Sequence, residues 1–290
     1  MAESRRPPVR LKSPDEIRAI ARCGEIIAAL FAELEPRVRP GVSTAALDRF
    51  VDDFVRSHNG AVPAFKGLYD FPGSACTSVN EEVVHGIPSA RALREGDIVS
   101  IDVGVKRRGW CADSAYTFPV GEVGRDAARL MAVTYEALDA AVKAVRAGGH
   151  VGDIGASVVS AVRPTGHAII RDLVGHGIGR AIHEEPQVSN IGRAGFGLPL
   201  REGMVLAVEP MLAVGTDRIR TLDDGWTVAT LDGSLSAHFE HTVAVTQEGP
   251  AILTGGGIWD SAGEKVAGGA PRVGTVGARA TVPHSSALPS

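Results

Sequence analysis

The fold of this chain is decided by the stretch Leu173-Val174-Gly175-His176-Gly177-Ile178-Gly179-Arg180-Ala181-Ile182-His183-Glu184-Glu185-Pro186. It contains two histidines seven positions apart, and a glycine flanks the first of them on each side. Gly175 and Gly177 have no Cβ, so a neighbouring backbone, a ligand or a metal ion can approach His176 closely. A single histidine among glycines is more typical of a loop or a core, so its meaning depends on the rest of the chain.

Four carboxylates lie within or beside apolar, strand-like segments, and they are Asp102, Asp113, Glu209 and Glu240. An unpaired charge in such a segment is costly, so these side chains need a positive partner. Four carboxylates and the imidazole of His176 form a ligand set for two divalent ions, and Mn, Fe, Co and Zn all suit it. Paired ions of this kind lower the pKa of a shared water and polarise a carbonyl oxygen, which serves amide or ester hydrolysis.

The two aspartates belong to a predicted β-hairpin with strands over residues 97–105 and 110–118. If Arg107 and Arg108 form the centre of a two-residue loop, Asp102 lies directly opposite Asp113 across the ladder. Like charges in directly opposed positions are destabilising, so this register favours a cation between them.

Composition limits the classes of function. The 290 residues are 44% hydrophobic, enough for a sizeable core, and the net charge of −4 indicates no surface for nucleic acid. Three cysteines at unrelated spacings indicate reduced thiols. No apolar run approaches the roughly 20 residues of a membrane span, and the polar start lacks a signal-peptide core. We therefore expect a cytoplasmic protein.

Helical and strand periodicities alternate along the chain, which predicts a mixed α/β fold. A capping box at Ser13 and Glu16 begins the first helix, a second helix follows Ser43, and a third spans residues 125–146. Continuous strands are predicted over residues 169–174, 204–211, 226–228 and 237–245. We expect a flexible N-terminus over residues 1–12, one domain over 13–254, and a disordered tail rich in Gly, Ala, Ser and Pro over 255–290.

Two segments of the chain resemble two later ones in the same order. Residues 93–102 match residues 200–209, with Leu-Arg-Glu-Gly identical and a carboxylate at the end of each. Upstream, Val84-His85-Gly86-Ile87 resembles Gly175-His176-Gly177-Ile178. This pattern predicts two related halves, over residues 13–120 and 125–254, that face each other across a cleft. Asp102 and Asp113 then correspond to Glu209 and Glu240.

Other catalytic classes fit less well. The sequence has no G-x-S-x-G elbow and no P-loop, and none of its cysteines carries a protease-like signature. His85 and His183 remain as non-ligand candidates that could hydrogen-bond a scissile amide or its tetrahedral intermediate.

These motifs together resemble those of the type I methionine aminopeptidases. The resemblance covers roughly residues 13–254 and rests on residues 78–88, the Asp102/Asp113 pair, and residues 175–179, 183–186, 207–211 and 236–242. It implies the pseudo-twofold "pita-bread" α/β fold, with a central antiparallel sheet covered by helices. It also implies a dinuclear metal site and removal of the initiator methionine from new chains.

The resemblance implies a role for each site residue. Asp102 and Asp113 would bind the first metal, His176 and Glu209 the second, and Asp113 and Glu240 would bridge both. His85 and His183 would contact substrate and intermediate, and Glu209 would handle the proton of the bridging water.

The resemblance also assigns the methionine pocket to Phe71, Cys76, Ile182 and Trp226. Leu68 and Ile182 stand where many relatives have aromatics. The expected partners are nascent polypeptide N-termini near the ribosome, small second residues are preferred, and the chain is expected to be a monomer.

Three alternatives stay open at this point. The first is an Xaa-Pro aminopeptidase or dipeptidase of the same fold, although such chains usually carry an extra N-terminal domain and only about 12 residues precede the first helix here. The second is an inactive relative that acts as a binding module, for which the complete ligand set would be unnecessary. The third is a purely structural cation, which would leave His85 and His183 without a role.

Overall fold

The computed structural model of the chain describes residues 8–255. Its helices are α1 (Pro14–Leu34), α2 (Thr44–Ser57), α3 (Arg125–Lys143) and α4 (Val151–Val162). Its strands are β1 (Ala61–Pro63), β2 (Cys76–Val79), β3 (Glu82–Val84), β4 (Ile98–Arg107), β5 (Trp110–Pro119), β6 (Ala168–Ile169), β7 (Val174–Gly177), β8 (Glu184–Ser189), β9 (Val205–Val208), β10 (Met211–Ala213), β11 (Ile219–Thr221), β12 (Val228–Thr230), β13 (Ser236–His238), β14 (His241–Val245) and β15 (Pro250–Ile252). In this part of the chain, no helix combines the length and apolar composition needed to cross a membrane.

The first helix begins where the sequence predicts it. The Ser13 hydroxyl accepts a hydrogen bond from the Glu16 N–H at 3.3 Å, and the Glu16 carboxylate accepts one from the Ser13 N–H at 3.0 Å. This reciprocal capping satisfies two N–H groups that a helix start leaves free. The apolar face of α1 is buried, and it packs against β4 and β5. The third helix ends at Lys143, three residues before the predicted end.

The strands form four antiparallel sheets within residues 8–255. A four-stranded sheet contains β1, β4, β2 and β5, and a five-stranded sheet has the order β15-β14-β9-β7-β8. Two three-stranded sheets have the orders β13-β10-β6 and β11-β12-β3. The two larger sheets meet at β5 and β14, where the Asp113 N–H donates to the Thr242 hydroxyl at 3.1 Å. This junction places the hairpin that carries Asp102 and Asp113 next to the sheet that contains His176.

The predicted register of the β4–β5 hairpin is wrong by two residues. Asp102 pairs with Ala115, and Asp113 pairs with Gly104. The loop consists of Arg108 and Gly109, whose φ angles are +50° and +80°, as a type I′ turn requires. Because the shift is an even number of residues, both aspartates still point to the same face of the sheet, as diagonal neighbours.

Two of the predicted continuous strands are interrupted at a glutamate. The chain leaves the five-stranded sheet after β9 and enters a three-stranded sheet at β10, with Glu209 and Pro210 between them. It returns from β13 to β14 through Phe239 and Glu240. Proline has no N–H to continue a ladder, so Pro210 favours the first break. Residues 169–174 are likewise divided, because β6 ends at Ile169 and β7 begins at Val174.

Corresponding turns of the two predicted halves make matching backbone hydrogen bonds. In each half, a glycine before the second helix donates to a leucine carbonyl, and a later glycine donates to the end of the sheet. The pairs are Gly41 to Leu93 at 2.8 Å, Gly148 to Leu200 at 3.0 Å, Gly96 to Val120 at 2.9 Å, and Gly203 to Val245 at 3.1 Å. The division of the domain at residues 120 and 125 stays a prediction.

Tertiary contacts are already made before the predicted boundary at residue 13. Lys12 is only 4% exposed. Its N–H donates to the Gly203 carbonyl at 2.7 Å, and its Nζ lies 2.8 Å from Glu184 Oε2. Residues 1–7 and the predicted tail from residue 256 lie outside the described residues.

All three cysteines are buried and free, as their spacing predicts. Burial raises the pKa of Cys23 to about 12 and that of Cys111 to about 11. Because the thiolate is the reactive form, we expect neither thiol to react with iodoacetamide in the folded protein at pH 8. Peptide mapping by mass spectrometry should find both unmodified, and both alkylated after unfolding in guanidinium. Rapid native modification of either would contradict this burial.

Candidate active site

One cavity of about 560 Å³ lies where the sheets meet. Its wall contains ten residues that the sequence singles out, namely Phe71, Cys76, His85, Asp102, Asp113, His176, His183, Glu209, Trp226 and Glu240. Ile182 is buried and is not among the residues that line this cavity, and its role in the methionine pocket stays a prediction. Residues as far apart in the chain as Phe65 and Glu240 therefore line the same cavity.

Five side chains that could hold metal ions come from five separate elements. Asp102 lies on β4, Asp113 on β5 and His176 on β7, while Glu209 follows β9 and Glu240 precedes β14. Asp113, His176 and Glu240 each offer a ligand atom, and the three atoms lie within 4.8 Å of one another.

The glutamate after β9 extends this group. The Nε2 atom of His176 lies 3.6 Å from Asp113 Oδ2 and 3.5 Å from Glu209 Oε1. These separations are too long for strong hydrogen bonds. They suit atoms that each make a bond of roughly 2.0–2.2 Å to one shared ion.

Hydrogen bonding sets the tautomer of His176. Its Nδ1 lies 2.9 Å from the Gly177 carbonyl oxygen, and a carbonyl can only accept, so Nδ1 carries the proton. The Nε2 lone pair then faces Asp113 and Glu209. Burial lowers the pKa of His176 and keeps the ring neutral. A neutral imidazole oriented through its other nitrogen is the form that ligates metals.

The glycines beside His176 allow neighbouring backbone to pack closely against β7. A Cβ at Gly175 would lie 2.3 Å from the Ala207 carbonyl oxygen, and one at Gly177 would lie 2.2 Å from that of Glu185. Both distances are impossible contacts for a side chain, so glycine is required at both positions. Of the three possibilities that the sequence left open, the close approach is therefore that of backbone.

The carboxylates differ in how the protein holds them. The Thr242 hydroxyl donates to the Asp113 carbonyl at 2.8 Å and lies 3.3 Å from Asp113 Oδ1. Asp102 Oδ1 is buried and has no hydrogen-bond partner within residues 8–255. A buried carboxylate oxygen without a donor needs an explanation, and a bound cation supplies one. The donor set and its spacing thus fit a divalent metal.

Burial and mutual repulsion shift the pKa values of this cluster. Removal from water raises the pKa of Asp113 to about 6 and raises those of Asp102, Glu209 and Glu240 well above their usual range. The charge of Asp113 raises the pKa of each of the other three further. The cluster therefore holds protons at neutral pH unless a cation replaces them.

Two more histidines line the cavity beside this cluster. The His183 ring centroid lies 4.5 Å from that of His176, in an edge-on arrangement. Burial lowers the pKa of both His85 and His183, so both are neutral donors at physiological pH. Both histidines that the sequence predicts as non-ligands thus line the same cavity as the carboxylates.

The cavity wall contains residues that the sequence predicts and others that it does not assign to the site. The rings of Phe71 and Trp226 meet edge to face with centroids 5.1 Å apart. Tyr69, which is 69% exposed, stacks on His183 at 5.9 Å. His238 also lines the cavity, and its position two residues before Glu240 was the available signal for it.

Comparison with known proteins agrees with this geometry. The profile of metallopeptidase family M24 matches residues 18–247. The chain belongs to metallopeptidase family M24. It is 47% identical to the methionine aminopeptidase of Clostridium perfringens over 244 residues, which are 84% of this chain and 98% of that protein. As an M24 metallopeptidase, it is a hydrolase that uses divalent metal.

Solved structures of M24 relatives share the architecture. The methionine aminopeptidase of Rickettsia prowazekii superposes with a TM-score of 0.84 at 40% identity, covering 85% of this chain and 100% of that one. An Xaa-Pro dipeptidase from Bacillus anthracis gives a TM-score of 0.67 at 24% identity, covering 84% of this chain and 61% of that one. The first likeness supports family and fold, whereas the second concerns the fold alone. The pita-bread prediction is confirmed.

Binding of a metal ion to the carboxylate cluster near pH 6 should release protons, because carboxyl groups that burial keeps protonated must ionise to bind a cation. For the same reason, affinity should rise as the pH rises toward the pKa values of these carboxyls. Titration calorimetry with Mn²⁺ in two buffers of different ionisation enthalpy measures the release. Asp102→Asn removes one titrating group and should release fewer protons. Identical heats in both buffers would contradict the expected protonation.

Proposed function

We propose that this chain is a metal-dependent aminopeptidase that removes N-terminal methionine from new polypeptides. The observation that carries the proposal is a single cavity whose wall contains five ligand-type side chains together with Phe71, Cys76 and Trp226. The similarity to methionine aminopeptidases supports the same activity.

The proposed metal site holds two divalent ions. Asp102 and Asp113 would hold one ion, His176 and Glu209 would hold the other, and Asp113 and Glu240 would be shared by both. Oxygen ligands with one imidazole are compatible with Mn, Fe, Co or Zn. When bound, such ions supply a water of lowered pKa and polarise the scissile carbonyl.

The protein's own groups then act on the proton and the developing charge. Glu209 accepts a proton from the attacking water, since its carboxylate lies within the metal-ligand cluster. His183 and His85 are neutral, and their N–H groups donate to the oxyanion and to the substrate amide. A preorganised donor in a buried site stabilises charge that appears only in the transition state.

The apolar wall selects the first residue of the substrate. Phe71 and Trp226 present aromatic surface and Cys76 a soft sulfur, and these contacts suit a thioether. The free α-amino group is a cation and faces the carboxylate cluster. We further propose that the chain acts as a monomer on N-termini near the ribosome, and therefore in the cytoplasm.

Substrate choice is the direct test of the activity. Peptides beginning Met-Ala, Met-Gly and Met-Ser should be cleaved, whereas Met-Leu and Met-Lys should be poor because a large second side chain clashes near the metals. Formyl-Met-Ala and Leu-Ala peptides are controls that lack the free amine and the thioether. Rates are compared by chromatography of released methionine. Equal rates for all second residues, or a preference for proline there, would favour the Xaa-Pro alternative.

Removing His183 should separate catalysis from metal binding. His183→Ala is expected to lower kcat by about 10²–10³, the usual cost of one lost oxyanion donor, while its metal content stays unchanged. Asp113→Asn is the matched control and should lose metal together with activity. Metal content is measured by plasma emission spectrometry. A metal-depleted His183→Ala protein would instead make His183 a ligand.

A further inference from the structure

His238 is a buried histidine in the cavity wall that the proposed function leaves without a role. It ends β13 and is 2% exposed. Its Nε2 atom has no hydrogen-bond partner within residues 8–255, and it lies 3.8 Å from Glu209 Oε2. A buried imidazole nitrogen without a partner is costly and rare, so this placement calls for an explanation.

Glu209 supplies the other half of the observation. Its Oε1 faces His176 Nε2 at 3.5 Å, and its Oε2 faces His238 Nε2 at 3.8 Å. Among the described residues, no group forms a hydrogen bond with the Glu209 carboxylate. By contrast, the Thr242 hydroxyl lies 3.3 Å from Asp113 Oδ1. The side-chain amide of Asn190 donates to the backbone carbonyl of Glu209 at 3.1 Å and not to its carboxylate. Within residues 8–255, the His238 ring is therefore the nearby group that can donate to Glu209 Oε2.

We propose that His238 is a positioning residue whose Nε2–H donates to Glu209 Oε2 and turns Oε1 toward the metal site. The proposal rests on the proposed function, because it assigns His238 to the carboxylate that binds metal and handles the proton of water. The two atoms need to approach by less than 1 Å to reach hydrogen-bonding distance. A carboxylate drawn toward a cation on its Oε1 side keeps its Oε2 side free for this donor.

The backbone around His238 suits a fixed donor. The His238 carbonyl accepts a hydrogen bond from the Thr117 hydroxyl at 2.8 Å, and the His238 N–H donates to the oxygen of that hydroxyl at 3.0 Å. Thr117 belongs to β5, the strand that also carries Asp113. The position of His238 is thus tied to the strand of a second proposed ligand, and a rigid support of this kind keeps an active-site carboxylate in one orientation.

Two substitutions separate a hydrogen bond from simple packing. His238→Leu fills a similar volume without a donor, whereas His238→Gln retains an N–H donor on a side chain of similar reach. Partners of metal ligands typically contribute 10- to 100-fold to metal affinity, so Leu should weaken Mn²⁺ binding by about that factor and Gln by no more than about threefold. Titration calorimetry measures the affinity, and thermal unfolding of the metal-free proteins shows whether both variants fold.

The outcomes are distinct. Unchanged Mn²⁺ affinity in a folded His238→Leu protein would reduce His238 to packing. Loss of one Mn²⁺ equivalent in both variants would make it a ligand. Either result overturns the proposal. Cleavage of a Met-Ala peptide by the wild-type protein is measured alongside, so failure of the proposed activity is seen separately from failure of the positioning role.

A measurement on the unaltered protein covers the case in which His238→Leu does not fold. Imidazole ¹⁵N–¹H spectra of the Zn²⁺-loaded protein should show the proton of His238 on Nε2, with the downfield shift of a hydrogen-bonded N–H. The resonance is assigned by its loss in His238→Gln. A proton found on Nδ1 instead would leave Nε2 without a hydrogen to donate and would overturn the proposal.

Discussion

Repulsion among four buried carboxylates is the constraint on which the rest of this structure depends. Asp102, Asp113, Glu209 and Glu240 line one cavity, and removal from water raises the pKa of each. Such a cluster opposes folding unless protons or cations neutralise it. The antiparallel sheets around it supply the rigidity that keeps these groups together, and filling with metal turns an unfavourable cluster into a stabilising one.

The two predicted halves of the chain position their carboxylates in different ways. Asp102 and Asp113 come from neighbouring strands of one hairpin, where a diagonal relation puts both on one face. Glu209 and Glu240 instead lie where the chain passes between sheets. A residue at such a break has no ladder partner on at least one side, so its side chain can turn into the cavity. The resemblance between the halves therefore concerns the chemistry supplied more than the local geometry.

Much of the site follows from the sequence, and the failures have physical causes. The capping box at Ser13 is local, so the start of α1 was predictable. The hairpin register was wrong because Arg107 was placed in the loop, although the glycine at position 109 marks the second residue of a type I′ turn. The strand break at Glu209 was not predicted because the apolar pattern continues on both sides of it, and only Pro210 indicates the break.

Long-range pairing was the part least visible in the sequence. Lys12 looks like an ordinary solvated residue before a helix, and its burial depends on Glu184, which lies 172 positions away. Likewise, nothing local indicates that the tip of His238 faces Glu209. Single side chains that pack across the fold leave no periodic signal, which is why the ligand set could be predicted while its supporting residues could not.

The contrast between Glu184 and the four clustered carboxylates shows what the chain provides and what it leaves to a ligand. Glu184 accepts hydrogen bonds from the N–H groups of Arg180 and Ala181 at 2.7 and 3.2 Å, and Lys12 Nζ lies 2.8 Å away. The protein thus neutralises this partly buried acid with its own cation and fixes the loop that carries His183. In the described part of the chain, no lysine or arginine forms an ion pair with any of the four cavity carboxylates. Within the described residues, the chain thus buries a lysine against Glu184 but places none beside the four cavity carboxylates. The positive charge that these carboxylates need is therefore left for a metal ion to supply.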